Sequence, residues 1–381
     1  MEEVAGHGVF MEKAIRLAEK GRWHVAPNPT VGALLVRDGH VVAEGWHAHF
    51  GEEHAEINCL RNAREKGVDP AGCTLYVTLE PCNHQGKQPP CSKAIVESGI
   101  KRVVIGMRDI NPQAAGGAAF LRRHGVEVTE GVLEEACRDL IADFIVWQTT
   151  SRPYVILKMA ATLDGFISAG SRRKVPISNE ASRLEVMKMR RNIALSGGAV
   201  LIGGNTFAMD DPFLTARIEG ADKQPLAVVV TSRLPGPDKK CHLVEERPAD
   251  CVFFSSAAKA ASPSAAALRA KGSRVYDVER YADGKHLDLK QCLEILREKE
   301  NCPYVLCEGG GKVACALLEN GLADEFHLHL APMILGESDA PRLFDGFSSS
   351  GSIEDALRLR LVHASAMDGD VHLQYRSRTG E

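Results

Sequence analysis

Two short segments carry side chains whose types and spacing suit a metal ion. In the first, HAEINCL, His54 and Glu56 lie two residues apart. In the second, TLEPCNHQGKQPPC, Cys82 and Cys91 are separated by eight residues. One imidazole and two thiolates suit a tetrahedral zinc ion whose fourth position is left to water. A carboxylate beside the histidine, Glu56, can carry protons to and from that water.

The order of these residues is that of zinc-dependent nucleobase deaminases, in which His-x-Glu is followed by Pro-Cys and a second cysteine. Zinc acidifies its water to near neutral pH, and Glu56 would pass the proton to the leaving amine. We expect His54 and both cysteines at or near helix N-termini, where the helix dipole favours thiolate. A closed structural zinc site or incidental thiols are the alternatives, and His84 is a rival ligand. Because the two cysteines already supply the sulfur pair, we interpret His84 as a loop residue near the site.

The composition favours a globular protein with two domains. The chain has 381 residues, more than one ordinary core accommodates. A net charge of −4 gives no support for a nucleic-acid partner. The charged amphipathic start, MEEVAGHGVFMEKAIRLAEKG, lacks the features of a signal peptide, and no apolar run reaches membrane-spanning length. Eleven cysteines without a pairing pattern indicate a reducing cytoplasm.

The first half alternates between helical and strand patterns. Asp38-Gly39 joins two apolar runs and predicts a β-hairpin. We predict helices at about 10–20, 54–67, from Cys91 onward, at 118–125 and at 133–147, and strands at 31–36, 41–46, 75–79, 103–107 and 126–128. This order predicts an α/β domain with helices covering a sheet.

A domain boundary is expected at Ser151-Arg152-Pro153, because Pro153 makes helix continuation unfavourable. The domains would then be 1–150 and 151–381. The second half also alternates, so we predict another α/β domain, mostly parallel, with an antiparallel edge and a closing hairpin at Asp368-Gly369. Lys158, inside the strand pattern YVILKMAATLDG, is either an edge residue or a buried functional ammonium.

The run Gly309 to Ala314 fits G-x-G-x-x-A, the fingerprint of a dinucleotide-binding Rossmann domain. A plain turn between a strand and a helix is the alternative. The following strand, FHLHLAP, does not end in the acidic residue that the Rossmann fingerprint requires. Bare amides at this helix N-terminus suit a phosphate under either interpretation.

The motifs PNPTVGALLV, HAE, TLEPCNHQGKQPPC and DINPQ closely resemble the deaminase half of the bifunctional riboflavin-biosynthesis deaminase/reductase family. The wide cysteine spacing matches this family and not the C-x-x-C of cytidine and tRNA adenosine deaminases. The resemblance implies a cytidine-deaminase-like three-layer domain with one zinc ion. It also implies that a phosphoribosylated diaminopyrimidinone is bound by Asn28, His47, Lys87 and Asp109. Taken alone, each also has an ordinary structural interpretation. In the same order, these are a turn residue, a surface residue at a strand end, a solvated loop charge and a loop cap.

The motifs LKMAATLDG, TFAMDDPFLTAR and CEGGGKVACALL resemble the reductase half of the same family, which has a dihydrofolate-reductase-like fold and uses NADPH. The resemblance implies substrate contacts from Lys158, Arg190, Leu214, Arg217 and Glu308. It implies cofactor contacts from Ala161, Thr206, Asp210, Ser232, Gly310, Gly311 and Lys312. Both arginines would grip the ribose phosphate. Asp210 and Asp211 are either an acid/base pair or turn residues.

One segment departs from the family pattern. The family carries Ser-Gly-Glu-Ser-x-Trp-Ile-Thr where this chain has SAGSRRKVPISNEAS, without a tryptophan. Arg172, Arg173 and Lys174 would supply positive charge for the 2′-phosphate of NADPH. A second departure, Thr30 in place of asparagine, is small.

We therefore expect a cytoplasmic bifunctional enzyme that forms a homo-oligomer, a dimer or a tetramer, and acts on a small molecule. The departing segment motivates one alternative, a deaminase whose second domain serves binding or oligomerisation. The other is a nucleic-acid-editing deaminase fused to a binding module, which the acidic net charge does not support.

Overall fold

The computed structural model describes residues 2–84, 89–169, 176–281, 286–337, 339–344, 346–347 and 352–377. The chain divides into two compact units, Met1–Thr150 and Ser151–Glu381. In the part of the chain that the structure describes, no helix has the length and apolar character needed to cross a membrane.

The first unit contains one five-stranded sheet with the order β2-β1-β3-β4-β5. Strand β1 pairs antiparallel with β2 and β3, and β3, β4 and β5 are parallel. The strands are β1 (Gly32–Arg37), β2 (His40–Trp46), β3 (Thr74–Leu79), β4 (Arg102–Met107) and β5 (Glu127–Thr129). The helices are α1 (Glu2–Ala18), α2 (Ala55–Glu65), α3 (Cys91–Glu97), α4 (Gly117–Arg123), α5 (Glu134–Leu140) and α6 (Ala142–Thr149), with a 3₁₀ turn at Glu19–Gly21.

Helices cover both faces of this sheet, and two glycines permit their close approach. A Cβ at Gly32 would lie 2.2 Å from the Ala14 carbonyl oxygen of α1, and one at Gly45 would lie 2.2 Å from the Cys59 nitrogen of α2. Gly45 pairs with Ala33, the neighbour of Gly32, so the two glycines face opposite sides of the sheet. The predicted three-layer α/β arrangement is therefore confirmed.

Most predicted elements of this unit occur within a few residues of their expected bounds. The Asp38-Gly39 hairpin is present, and both residues have positive φ (48° and 74°), as a type I′ turn requires. The first helix begins earlier than predicted, at Glu2. The single helix predicted over 133–147 is wrong, because Ile141 leaves helical geometry. Buried Asp143 accepts the Phe144 N–H at 2.7 Å, which satisfies a donor at the start of α6.

The second unit contains a nine-stranded sheet with the order β10-β9-β8-β7-β11-β6-β12-β14-β13. The strands are β6 (Tyr154–Thr162), β7 (Ala199–Gly203), β8 (Leu226–Val230), β9 (Cys251–Ser255), β10 (Arg274–Asp277), β11 (Tyr304–Cys307), β12 (Glu325–Ala331), β13 (Leu359–Met367) and β14 (Asp370–Ser377). The helices are α7 (Glu180–Leu195), α8 (Gly204–Asp210), α9 (His242–Glu246), α10 (Ala257–Ala260), α11 (Pro263–Ala270), α12 (Leu289–Glu298) and α13 (Gly311–Glu319). In this sheet order, the seven strands from β10 through β12 run parallel to one another. Strand β14 is antiparallel to both of its neighbours, β12 and β13, so the sheet is mostly parallel with an antiparallel edge, as predicted.

The two faces of β6 and its neighbours differ in chemistry. Alternate residues of β6 enter the apolar core: Val155, Leu157, Met159 and Ala161. On the other face Lys158 pairs with His327, and Ala160 pairs with His329 of β12. His329 is 1% exposed, and its ring stacks on that of His372 at a centroid distance of 3.6 Å. A polar sheet face is therefore buried beneath α7, whose Ser182 hydroxyl lies 2.7 Å from His372 Nε2.

His329 is expected to make the second unit lose stability as the pH falls below about 6.5. Burial, assisted by the charge of Lys158, lowers the pKa of His329 to about 2. Between that value and the unfolded pKa of about 6.5, the unfolded chain binds a proton that the folded chain does not. The stabilisation is therefore complete above about pH 6.5 and falls by about 2 kcal/mol at pH 5.

Amide hydrogen exchange of β6 and β12 at pH 7 and pH 5 measures this loss, after correction for intrinsic exchange. All three tryptophans lie in the first unit, so their fluorescence does not report on the second unit. A His329→Phe variant keeps a flat ring and should show a smaller pH dependence. His363→Gln, at an exposed position of β13, is the matched control. An unchanged pH dependence in His329→Phe would contradict the assignment.

Candidate functional site

The three predicted metal ligands come together in the first unit. The His54 Nδ1 atom lies 3.6 Å from Cys82 Sγ and 3.3 Å from Cys91 Sγ, and all three ligand atoms are within 4.8 Å of one another. Zinc bonds of about 2.3 Å to sulfur and about 2.0–2.1 Å to nitrogen separate N and S by about 3.6 Å at a tetrahedral angle. The donor set and its spacing therefore fit zinc.

Two of the three ligands occupy helix N-termini. His54 precedes the first residue of α2, and Cys91 is the first residue of α3. Cys82 lies in the loop after β3, outside any helix, but its sulfur is near the N-terminus of α3. The Cys82 sulfur accepts the Cys91 N–H at 3.4 Å. Hydrogen bonds from the Cys91 thiol and the His54 ring lower the pKa of Cys82 to about 4, which favours the thiolate that a metal requires.

Glu56 lies at the start of α2, beside the ligand cluster. Its side chain is 4% exposed. Burial raises the pKa of Glu56 to about 7, although the neighbouring His54 opposes this shift. A carboxyl group whose pKa lies near neutral both accepts and returns a proton readily.

A cavity of about 380 Å³ opens over these residues. This volume is in the range of small-molecule sites. Its lining contains His54, Glu56 and Cys82 together with three of the four predicted substrate residues, Asn28, His47 and Asp109. The fourth, Lys87, lies outside the described residues. His84 also lines the cavity, but the metal-ligand cluster among the described residues does not include it, as predicted.

His47 holds the amide of Asn28 in one orientation. The His47 ring is 2% exposed, and burial lowers its pKa, which favours the neutral ring. Its Nδ1 lies 3.0 Å from the Glu53 carbonyl oxygen, which only accepts, so the proton is on Nδ1. Nε2 must then accept from the Asn28 amide nitrogen, 3.1 Å away. The side-chain oxygen of Asn28 is therefore the atom of this amide that is available to a ligand.

Several cavity residues were not predicted from the sequence. They are Glu80, Asn111, Ala114, Phe144 and Gln148, with Pro27, Pro29, Val31 and Leu79. The DINPQ motif contains Asn111 and could have indicated it. Phe144 and Gln148 come from α6, far along the chain, and no local pattern marks them.

In the second unit, Lys158 in the middle of β6 lies near the pair formed by Arg190 and Glu308, and Glu308 directly follows β11. Lys158 lies mid-strand, and β6 is an interior strand between β11 and β12, so the edge interpretation is wrong. Burial lowers the pKa of Lys158 to about 8, with Arg190 adding to the shift and Glu308 opposing it. Lys158 is therefore a partly buried ammonium inside the sheet, and its functional role stays a prediction.

Arg190 directs its guanidinium at Glu308. Its Nε lies 2.6 Å from Glu308 Oε1, one terminal nitrogen lies 2.6 Å from Oε2, and the other donates to the Thr215 carbonyl oxygen at 3.0 Å. The guanidinium nitrogens of Arg190 that we expected to bind phosphate therefore bind the carboxylate of Glu308. Arg217 is exposed, with its guanidinium 5.7 Å from the centre of the Phe213 ring.

The predicted cofactor residues fall into three groups. Thr206 and Gly310 are in contact, since the Gly310 N–H donates to Thr206 Oγ1 at 3.2 Å. Ala161 and the predicted substrate residue Leu214 are buried. The remaining four lie at the ends of α8 and β8 and at the start of α13: Asp210, Ser232, Gly311 and Lys312. Asp211 accepts the His242 N–H at 3.0 Å at the start of α9, which supports its interpretation as a turn residue.

The carboxyl ends of β7, β8 and β11 are packed too closely for side chains. A Cβ at Gly309 would lie 2.7 Å from the Gly203 nitrogen, and one at Gly204 would lie 2.2 Å from Thr231 Oγ1. These glycines make room for neighbouring backbone and for Thr231. The feature that suits the phosphates of a dinucleotide is the start of α13, whose first backbone N–H groups lie at the carboxyl edge of parallel strands. The residues present therefore fit a nicotinamide dinucleotide.

Comparison with known proteins accounts for both units. Residues 6–107 match the cytidine and deoxycytidylate deaminase zinc-binding region, and residues 153–373 match the RibD C-terminal domain. The riboflavin biosynthesis protein RibD of Aquifex aeolicus is 38% identical, over 96% of this chain and 97% of that protein. The Escherichia coli RibD is 34% identical, over 87% of this chain and 89% of that protein. The chain belongs to the RibD family.

Solved structures agree with this assignment. A diaminohydroxyphosphoribosylaminopyrimidine deaminase/5-amino-6-(5-phosphoribosylamino)uracil reductase from Thermotoga maritima has a TM-score of 0.78 and 35% identity, covering 98% of this chain and 99% of that one. Acinetobacter baumannii RibD has a TM-score of 0.76 and 31% identity, covering 99% and 100%.

The expected family and the expected fold class are both confirmed. The chain is a bifunctional riboflavin-biosynthesis enzyme, a zinc hydrolase joined to an oxidoreductase that uses NADPH. The deaminase-only alternative is not favoured, because the RibD C-terminal domain matches nearly all of the second unit. Arg172, Arg173 and Lys174, proposed for the 2′-phosphate, lie outside the described residues.

Proposed function

We propose that residues 1–150 hydrolytically deaminate 2,5-diamino-6-(5-phosphoribosylamino)pyrimidin-4-one, and that residues 151–381 reduce the ribosyl group of the product to a ribityl group. The observation that carries the proposal is the cluster of His54, Cys82 and Cys91 beside buried Glu56, at the base of a cavity of about 380 Å³.

In the deaminase unit, His54, Cys82 and Cys91 hold zinc, which when bound makes water acidic enough to act as a nucleophile near neutral pH. Glu56 takes a proton from the water and delivers it to the departing 2-amino group, so that oxygen replaces nitrogen and ammonia leaves. Asn28, oriented by His47, accepts a hydrogen bond from the substrate. Asp109 fixes the pyrimidine from the opposite loop, and Lys87 supplies positive charge for the phosphoribosyl part.

In the reductase unit, NADPH when bound supplies the hydride for carbon 1 of the opened ribose. The chain must hold the two carbons close and aligned. Lys158 donates a hydrogen bond to the substrate, with Glu308, Arg190 and Leu214 shaping its surroundings. Arg217, which is exposed, contacts the phosphate. The cofactor is held by Ala161, Thr206, Asp210, Ser232, Gly310, Gly311 and Lys312.

The protein is further proposed to be cytoplasmic and to form a dimer or a tetramer. None of the eleven cysteines forms a disulfide, which suits a reducing compartment. Large apolar side chains are exposed in the second unit, among them Ile334 (75%), Ile353 (80%) and Leu361 (51%). A contiguous patch built from such side chains would be a surface for other chains to cover.

The proposal is tested by supplying each substrate separately to the full-length protein. We expect one zinc ion per chain, ammonia release from the diaminopyrimidinone, and loss of nicotinamide absorbance when the deaminated product and NADPH are added. The control omits the pyrimidine and should show neither signal. Ammonia release without NADPH oxidation would leave a deaminase alone, and NADPH oxidation without ammonia release would overturn the assignment of the first unit.

A further inference from the structure

Glu80 joins the two ends of a loop that lines the deaminase cavity. It follows β3 and is 7% exposed. One carboxylate oxygen, Oε2, accepts the Asp109 N–H at 3.2 Å. The other, Oε1, accepts the N–H groups of Gly116 at 3.1 Å and Ala118 at 2.9 Å. Although Glu80 borders the cavity, backbone donors occupy both of its oxygens.

The loop between β4 and α4, residues 108–116, carries three cavity residues, of which Asp109 and Asn111 have polar side chains. We refer to residues 108–116 as the pocket loop. Asp109 and Asn111 both line the cavity. Within the loop, Asp109 Oδ1 accepts the Asn111 N–H at 2.9 Å, so the position of one determines that of the other. The hydrogen bond from the Asp109 N–H to Glu80 therefore positions the side chains of both Asp109 and Asn111.

The far end of the pocket loop is constrained separately. Gly116 has a φ of 99°, and a Cβ at Gly117 would lie 1.9 Å from the Pro81 carbonyl oxygen. The Asn83 N–H also donates to the Ala114 carbonyl oxygen at 2.9 Å. This end therefore has packing and hydrogen bonds beyond those to Glu80. At the other end, the Glu80 N–H donates to the Met107 carbonyl oxygen at 2.9 Å, and Arg108 pairs with Glu130. The Asp109 N–H itself donates to Oε2 of Glu80.

We propose that Glu80 is a positioning residue for deamination, which holds Asp109 and Asn111 in the geometry that binds the pyrimidine. This inference rests on the function proposed for the cavity. The reason for a carboxylate is geometric, because two acceptor oxygens on one rigid group receive N–H donors from both ends of the loop. Hydrogen bonds from backbone N–H groups to a charged acceptor are also stronger than those to a neutral one.

We expect a glutamine at position 80 to affect the two ends of the pocket loop differently. A glutamine at position 80 keeps one carbonyl oxygen and places an amide NH₂ where the other oxygen was. The orientation that preserves two bonds keeps the oxygen toward Gly116 and Ala118. The NH₂ group then faces the Asp109 N–H, and two donors repel. Glu80→Gln should therefore release Asp109 while leaving the start of α4 in place.

The experiment measures ammonia release, zinc content and NADPH oxidation in the full-length enzyme. For Glu80→Gln we expect the KM for deamination to rise on the order of tenfold, with a much smaller change in kcat. Zinc content and NADPH oxidation should remain at wild-type levels. Glu80→Asp, which retains both acceptor oxygens, should recover part of the affinity.

Glu130→Gln is the matched control. The Glu130 carboxylate pairs with the side chains of Arg108, at 2.8 Å, and Arg122, so it also contacts the start of the pocket loop. It makes no contribution to the cavity lining, and its replacement should leave KM unchanged. A double variant, Glu80→Gln with Asp109→Asn, should raise KM by less than the product of the two single effects, because Glu80 acts in part through the Asp109 side chain.

Three results would overturn the inference. They are an unchanged KM in Glu80→Gln, a loss of zinc together with the KM change, and additive effects in the double variant. The second of these would indicate a general structural role. If wild-type enzyme releases no ammonia from the diaminopyrimidinone, the proposed function fails, which is a different outcome from a normal wild type with an insensitive Glu80 variant.

Discussion

Replacement of Glu56 by glutamine is expected to leave one zinc ion bound per chain and to slow ammonia release by about 10²-fold to 10⁴-fold. Glutamine has nearly the same shape but neither accepts nor returns a proton. The three metal ligands are His54, Cys82 and Cys91, and Glu56 is not among them, so metal binding does not depend on its carboxylate. The readouts are the zinc-to-protein ratio and the steady-state rate of ammonia release.

Glu53→Gln serves as the control for this variant. The Glu53 side chain is partly exposed and pairs with Arg61 at 2.8 Å. The contact with His47 uses the Glu53 backbone carbonyl, which the substitution retains. Normal ammonia release is therefore expected from Glu53→Gln. If Glu56→Gln also released ammonia at the normal rate, Glu56 would not be the proton carrier, and a loss of zinc would make it a ligand.

Replacement of Glu308 by glutamine is expected to destabilise the second unit by about 3–5 kcal/mol and to stop NADPH oxidation. The pair that it breaks is bidentate, with both N···O distances at 2.6 Å and Arg190 only 8% exposed. Removing one member leaves a buried guanidinium without its counter-charge. Glu308 also opposes the lowering of the Lys158 pKa, so that pKa should fall further in the variant.

Hydrogen exchange of β6 and β11 measures the stability change, and nicotinamide absorbance measures the activity. Glu245→Gln is the comparison, since Glu245 pairs with Lys271 on the surface and surface pairs contribute little. Ammonia release should persist in Glu308→Gln, because the first unit has its own core. Stability close to that of wild type would show that the pair is not a buried charge pair in solution.

The sequence by itself determined the chemistry of the metal site. His54, Glu56, Cys82 and Cys91 could be identified from residue type and order, because a zinc ion selects its ligands by atom type and a deaminase needs one adjacent carboxylate. It also determined the two hairpin turns, Asp38-Gly39 and Asp368-Gly369, since the φ values of such turns are a local property of these residues.

The tertiary structure decided which side chains act together. Arg190 and Glu308 are 118 residues apart, and nothing local indicates that the arginine binds a carboxylate and not a phosphate. The contacts of Glu80 with the pocket loop and the place of Phe144 in the cavity likewise depend on packing between distant segments. Residue type fixes which bonds a group can make, whereas its partner, burial and pKa follow from what the fold packs against it.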